Sequence, residues 1–230
     1  MDYEIRYRPS NSMVVLKLKD GEAAVGESGA MTYMSPNIEV RTRSRSGILG
    51  SLGLKLLGGQ SFWVNDYFAR GGQGEIAFVS APLGDIEHLM LDGKNGWIIR
   101  KESYVASSPT VNLDVKWEGF TKGIFGQGIF MINVSGTGDL FINTFGAIDR
   151  HVLGHGEQLI VDNFHLVAFS NTCTYHVERF GGIKETFLSG EGMVTRINGP
   201  GEVFIQTKNP REFADWIWTL IEPRVQSRAR

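Results

Sequence analysis

"GQGIFMINVSGTGDLFI", residues 126–142, sets a Gly-x-Gly before an apolar run, then a second Gly-x-Gly closed by an acid, then another apolar run. Similar text occurs twice more. The leading signature stands at Gly72-Gln73-Gly74, Gly126-Gln127-Gly128 and Gly190-Glu191-Gly192, followed by "EIAFVS", "IFMINV" and "MVTRI". A glycine followed by an acid then recurs at Gly84-Asp85, Gly138-Asp139 and Gly201-Glu202, before "IEHLML", "LFINTF" and "VFIQT". Glycine supplies the positive φ of tight reversals, and the flanking runs are rich in β-branched and aromatic residues. The pattern predicts three β-hairpins, with Gly74, Gly84, Gly128, Gly138, Gly192 and Gly201 as structural turns.

Each copy has a matching block upstream. "AMTYMSP", "SYVASSP" and "HLVAFSN" align Ser35 with Ser108 and Ser170, and the residues that follow alternate with period two. Val111, Leu113, Val115 and Trp117 share one face of a half-buried strand, as do Ile38, Val40 and Thr42 in the first copy. Cys173, Tyr175 and Val177 take that register in the third. Cys173 therefore fills the inward slot of Ile38 and Val111 and reads as a packed, inert thiol. The predicted fold is all-β: three tandem units at about 14–91, 92–153 and 154–208, packed around a pseudo-threefold axis as a double-stranded β-helix or β-sandwich.

Two segments depart from the repeat. Residues 41–60 begin with Arg41, Arg43 and Arg45 at alternate positions and continue through Ile48, Leu49, Leu52 and Leu56. They read either as a loop packed in the subunit or an oligomer contact, or as a binding segment that sets leucines into a membrane surface and arginines on phosphates. At the C-terminus, "NPREFADWIWTLIEP" offers Asn209 as N-cap, Pro210 in the first turn and Glu212 to complete a capping box. Phe213, Trp216, Ile217, Leu220 and Ile221 recur at helical spacing. An amphipathic helix is expected over 209–222, stopped by Pro223, with its apolar stripe over an open end of the β core and a basic tail at 223–230.

Composition narrows the function classes. The 230 residues include 29 glycines against 7 prolines, which suits short strands and turns better than helices. A net charge of −2 gives no global attraction to nucleic acid, and the single cysteine excludes an intrachain disulfide framework. No signal peptide or spanning segment is read from the sequence, so a cytoplasmic location is expected.

The "LGGQSFWVNDYFARGGQGEIAF", "GEQLIVDNFHLVAFS" and "SGEGMV…NGPGEVFIQT" passages, with the threefold glycine layout, resemble the altered inheritance of mitochondria, member twenty-four family. The resemblance spans about residues 14–221. It implies a fold akin to the tryptophan RNA-binding attenuation protein, internal duplication and symmetric oligomers. Mitochondrial members are associated with inner-membrane organisation and its contact-site complex; the family brings no agreed catalytic residues.

No nucleophile elbow, Walker loop or His-Glu-x-x-His is present. His151 and His155, near Glu157, are weighed as metal ligands on a cupin-like barrel, but a turn between them separates the rings. His165 aligns with Ala30 and Ser103 as a structural position, and His176 falls on the outward face. The sequence supports a non-catalytic oligomeric scaffold or binding module, trimeric or larger, with no cofactor, no nucleic-acid partner, and a membrane surface or protein as the outside contact. The other reading is a small-molecule or metal-dependent β-barrel enzyme.

Overall fold

A computed structural model describes residues 1–44, 62–79, 83–118, 129–179 and 193–228. Among the described residues, eighteen strands precede one C-terminal α-helix. The first group is β1 (Asp2–Arg6), β2 (Met13–Leu18), β3 (Ala23–Glu27), β4 (Met31–Met34), β5 (Ile38–Ser44), β6 (Trp63–Ala69) and β7 (Gly74–Val79). There follow β8 (Ile86–Asp92), β9 (Trp97–Arg100), β10 (Tyr104–Ser107), β11 (Val111–Glu118) and β12 (Ile129–Asn143). The last are β13 (Ile148–Leu153), β14 (Gln158–Asp162), β15 (Leu166–Ser170), β16 (Thr174–Arg179), β17 (Met193–Asn198) and β18 (Gly201–Gln206), then α1 (Pro210–Arg228).

One antiparallel pairing scheme recurs along the chain. Strand β7 lies between β2 and β4, residues 137–143 of β12 lie between β8 and β10, and β18 lies between β13 and β15. Likewise β6 lies between β3 and β5, residues 129–136 of β12 between β9 and β11, and β17 between β14 and β16. Even the irregularities repeat: a bulge falls between Met31 and Tyr33, Tyr104 and Ala106, and Leu166 and Ala168.

These pairings correct the hairpin reading. The apolar runs on either side of each Gly-x-Gly do not pair with one another; Gly136 (φ 102°) and Gly138 (φ 110°) instead kink one continuous strand, β12. Its two halves serve different ladders. Positive φ bends the strand out of one ladder into the next without reversing it. The correspondence also moves. Gly138-Asp139 and Gly201-Glu202 match Gly74-Glu75, because these three sit opposite Leu91, Leu153 and Leu18. Gly84, paired with that set from sequence, makes an isolated bridge to Gly146.

The serine register has a mechanical purpose. The N–H groups of Glu75, Asp139 and Glu202 donate to the hydroxyls of Ser35, Ser108 and Ser170, each at 2.9 Å. The carbonyls of those serines accept from the N–H of Ile38 (3.1 Å), Val111 (3.1 Å) and Cys173 (3.0 Å), turning the chain into the next strand. A side chain has no room beside these turns. A Cβ on Gly74 would lie 2.6 Å from Ile38 Cδ1, on Gly138 2.7 Å from Ser108 Cβ, and on Gly201 2.5 Å from Cys173 Sγ.

Packing follows the pairing. Ile38, Val111 and Cys173 are buried, as their shared register predicts. Val40 departs from it at 41% exposed, because β5 is the last strand of its sheet. Three apolar clusters interlock across the repeats; the central one joins Val25 and Phe62 to Tyr104, Ile132 and Leu140, and on to Val167 and Phe204.

Helix α1 is capped as predicted, with Asn209 Oδ1 accepting from the N–H of Arg211 at 2.9 Å and Asn209 Nδ2 donating to Glu212 Oε1 at 3.3 Å. It runs past Pro223 to Arg228. Proline there removes one backbone donor, and the carbonyl it would have met, on exposed Thr219, is open to water. Its apolar stripe does not cover the β core: Phe213, Trp216, Leu220 and Ile221 are 42%, 56%, 54% and 43% exposed. Among the described residues, the helix touches the body through Phe213 on Phe145 at 5.1 Å and Arg211 over Phe164 at 5.8 Å.

Ser108→Ala would leave the buried N–H of Asp139 without its acceptor, at a cost of about 1–3 kcal/mol. Urea unfolding should show a lower midpoint with an unchanged slope.

Candidate functional site

A cavity of about 400 Å³ opens where β8, β9, β13 and β18 meet the segment after β1. Its lining includes Arg8, Asp85, Glu87, His88, Arg150 and Glu202, together with Trp97 and Phe204, whose rings lie 5.5 Å apart and tilted by 59°. Alternation along β8 sends Glu87 and His88 to opposite faces of one strand, while Asp85 holds the turn that starts it.

The rim cations are already engaged. Arg8 donates to both oxygens of Asp85, Nε to Oδ1 at 2.9 Å and Nη2 to Oδ2 at 2.9 Å, and to Glu87 Oε2 at 2.8 Å. These contacts hold the Arg8 guanidinium above its ordinary pKa, the Asp85 bond first among them. The Asp85 carboxylate is itself buried and also accepts from Ser12 Oγ at 2.7 Å and from the N–H of Ile86 at 2.8 Å. Arg150 grips Glu202 through Nε (3.0 Å) and Nη2 (2.6 Å), which raises its pKa in the same way.

His88 is the feature that sequence reasoning missed. Its Nε2 lies 2.8 Å from Asp139 Oδ1 and its Nδ1 lies 2.9 Å from Tyr3 Oη. Both ring nitrogens are thus within hydrogen-bond reach of a partner, and the tautomer decides which of the two contacts the ring donates. Asp139, buried, takes a further bond from Ser108 Oγ at 3.2 Å. Such a chain has the outline of a catalytic relay, yet its place in the ladders gives it a simpler meaning. His88 occupies in β8 the position that Arg150 occupies in β13, and Asp139 the position of Glu202. The third acid, Glu75, takes its bond from Tyr33 Oη at 2.6 Å. Each acid beside a corner glycine thus finds a different donor across the sheet. The signal for His88 was a separation of 51 residues, visible only once β8 is known to pair with β12.

The histidines singled out from sequence do not converge. His151 Nε2 sits 3.2 Å from Asp149 Oδ2, His165 donates to the Gln206 carbonyl at 2.7 Å, and His155 and His176 are exposed. Glu157 is spent on the Gly154 N–H at 2.7 Å. Among the described residues, no three His, Cys, Asp or Glu side chains form a set able to hold a metal ion. Cys173 is buried, with Sγ 3.6 Å from the Pro200 carbonyl oxygen, and burial pushes its thiol up.

Of the proposed contact segment, Arg41 is exposed, 3.9 Å from Glu39 and 5.2 Å over the Phe68 ring. Arg43 lies in β5 opposite Val64. Arg45, Ile48, Leu49, Leu52 and Leu56 lie outside the described residues, as do the predicted turns at Gly128 and Gly192. No helix of the described residues is long and apolar enough to cross a membrane.

Fold and site together define an all-β protein of recurrent two-ladder pairing, serine-clasped at its glycine corners. The chain belongs to the Mitochondrial biogenesis AIM24 family, whose model matches residues 3–208. It is 26% identical over 226 residues to an uncharacterized protein of Streptococcus pyogenes serotype M6, covering 93% of this chain and 90% of that one. A Streptococcus pyogenes protein of known crystal structure shares the fold, with a TM-score of 0.79 and 24% identity over 95% of this chain and 99% of that chain.

Two outcomes test the electrostatics. Asp85→Ala removes the acceptor for Ser12, Arg8 and a backbone N–H together and should cost roughly 3 kcal/mol, whereas Arg8→Ala, at an exposed end of the pair, should cost about 1 kcal/mol or less. Denaturant titration separates them. Glu27, half-buried at the end of β3, is pushed up to about 7 chiefly by burial. A raised carboxyl pKa means stability that is complete below the unfolded value of 4.5 and is lost as pH rises through about 7. Glu27→Gln should therefore change little at about pH 4 and stabilise by on the order of 2 kcal/mol at about pH 8, read from thermal melts.

Proposed function

We propose that this protein is a non-catalytic oligomeric scaffold, a binding module assembled from copies of itself, trimeric or larger. One observation carries the reading: every charged side chain on the cavity rim is bound to a partner within the fold, so no acid, base or cation there is held ready for a substrate. Apolar surface, by contrast, is left facing outward on α1 and on the strand edges. The likeness to the tryptophan RNA-binding attenuation protein enters at the level of architecture only. With net charge −2 and its rim arginines paired to carboxylates, the protein suits a protein or lipid neighbour better than a nucleic acid.

The membrane arm of the reading rests on residues 41–60, where Arg41 and Arg43, both in β5, are followed in sequence by Arg45 and the leucines. Light scattering should return a multiple of the 25.5 kDa chain mass. Vesicles carrying anionic lipid should float the protein, and Arg41→Ala, Arg43→Ala and Arg45→Ala combined should abolish flotation without changing the mass. A monomer would remove the scaffold reading; flotation that survives the triple variant would remove the membrane arm alone.

A further inference from the structure

Two junctions inside the chain are the same junction made twice. Between β10 and β3, Ala106 lies opposite Gly26 and Ser107 opposite Val25. Between β15 and β9, Ala168 lies opposite Ile99 and Phe169 opposite Ile98. The ladders on either side establish that these pairs correspond. Ala106 and Ala168 face Phe141 and Phe204, each three residues past its corner glycine. Gly26 and Ile99 face Asn65 and Ile132. Pleat and register are therefore specified identically at both places.

The two surfaces that make this junction are each left over once. Strand β4 is built like β10 and β15, with the same bulge, yet among the described strands it pairs only with β7. Strand β14 is built like β3 and β9 and, among the described strands, pairs only with β17. Their exposure is that of an uncovered joint. Met31 is 39% and Tyr33 38% exposed, where Tyr104, Leu166, Ala106 and Ala168 are at most 1%. Ile160 is 45% exposed, where Val25 is fully buried. Tyr33 is larger than the alanines at its position, but its neighbour Ala77 stands where they face Phe141 and Phe204, so the volume is exchanged across the ladder.

The geometry points to a second copy of this chain as the occupant: β4 of one molecule pairs antiparallel with β14 of the next, Tyr33 opposite Val161 and Met34 opposite Ile160. The register is that of the two internal junctions carried one step further. Backbone groups on both edges gain partners, and the apolar side chains beside them are covered. Such a joint is head to tail, so it closes a ring or grows a string instead of forming a self-complementary pair. This inference rests on the oligomeric reading above and names its contact.

Met34→Lys and Ile160→Lys place a charge in one edge each and leave the other edge intact. By light scattering over micromolar to submillimolar protein, each variant should fall to the mass of one chain while keeping a cooperative melting transition, lower than the wild type's because the joint is lost. An equimolar mixture should form a one-to-one pair and stop there, since only one competent β4 and one competent β14 remain. The mixing step also shows that both variants are folded. A wild-type oligomer whose mass survives both substitutions would overturn the joint and leave the oligomeric reading standing, and two monomeric variants that fail to pair when mixed would overturn its head-to-tail character. A monomeric wild type would overturn both readings.

Discussion

The hydrogen bond from a backbone N–H to a serine hydroxyl, made three times at 2.9 Å, is the constraint on which the rest of the structure depends. It ties the first acid of β7, of the second half of β12, and of β18 to the end of the neighbouring strand. The same serine's carbonyl then starts the next turn. One small residue therefore serves two strands, and at Gly138 and Gly201 a Cβ before the acid would lie within 3 Å of that serine's Cβ. Where the chain must leave one ladder for another, the kink at Gly136 and Gly138 and this clasp together replace a hairpin.

The electrostatics follow from the same geometry. An acid next to the corner glycine is carried into a half-buried position, where an uncompensated charge would be costly. Tyr33, His88 and Arg150 meet that demand in turn, each from a strand alongside. What resembles a catalytic relay at His88 is one of three solutions to a desolvation problem. The cavity beside it has a rim of paired charges, with Trp97 and Phe204 tilted against each other among its lining residues.

Apolar groups left exposed include Met31 and Tyr33 on β4, Ile160 on β14, Phe213, Trp216, Trp218, Leu220 and Ile221 on α1, and others such as Met90 and Val152 elsewhere. Among the described strands, β4 pairs with β7 alone and β14 with β17 alone. In helix α1, capping and amphipathic spacing are local properties that fold it without a docking site.

Much of the fold was legible in the sequence because it is written in short-range patterns. The serine alignment, the inward register of Ile38, Val111 and Cys173, the N-cap at Asn209 and the all-β class all follow from spacing within a few residues. The partner of each strand did not follow. Glycine announces that the backbone will take a positive φ, but whether the chain then reverses or crosses to another ladder depends on neighbours far away in sequence. For that reason spacing alone aligns Gly84 with Gly138 and Gly201, where strand pairing puts Gly74, and carries no sign of the His88–Asp139 pair. The buried or open state of an amphipathic face is likewise decided by what lies opposite it. Local periodicity determined the elements of this protein; their partners, and hence its charged pairs and free edges, were decided by tertiary structure, because strand pairing satisfies backbone hydrogen bonds that every sequence carries alike.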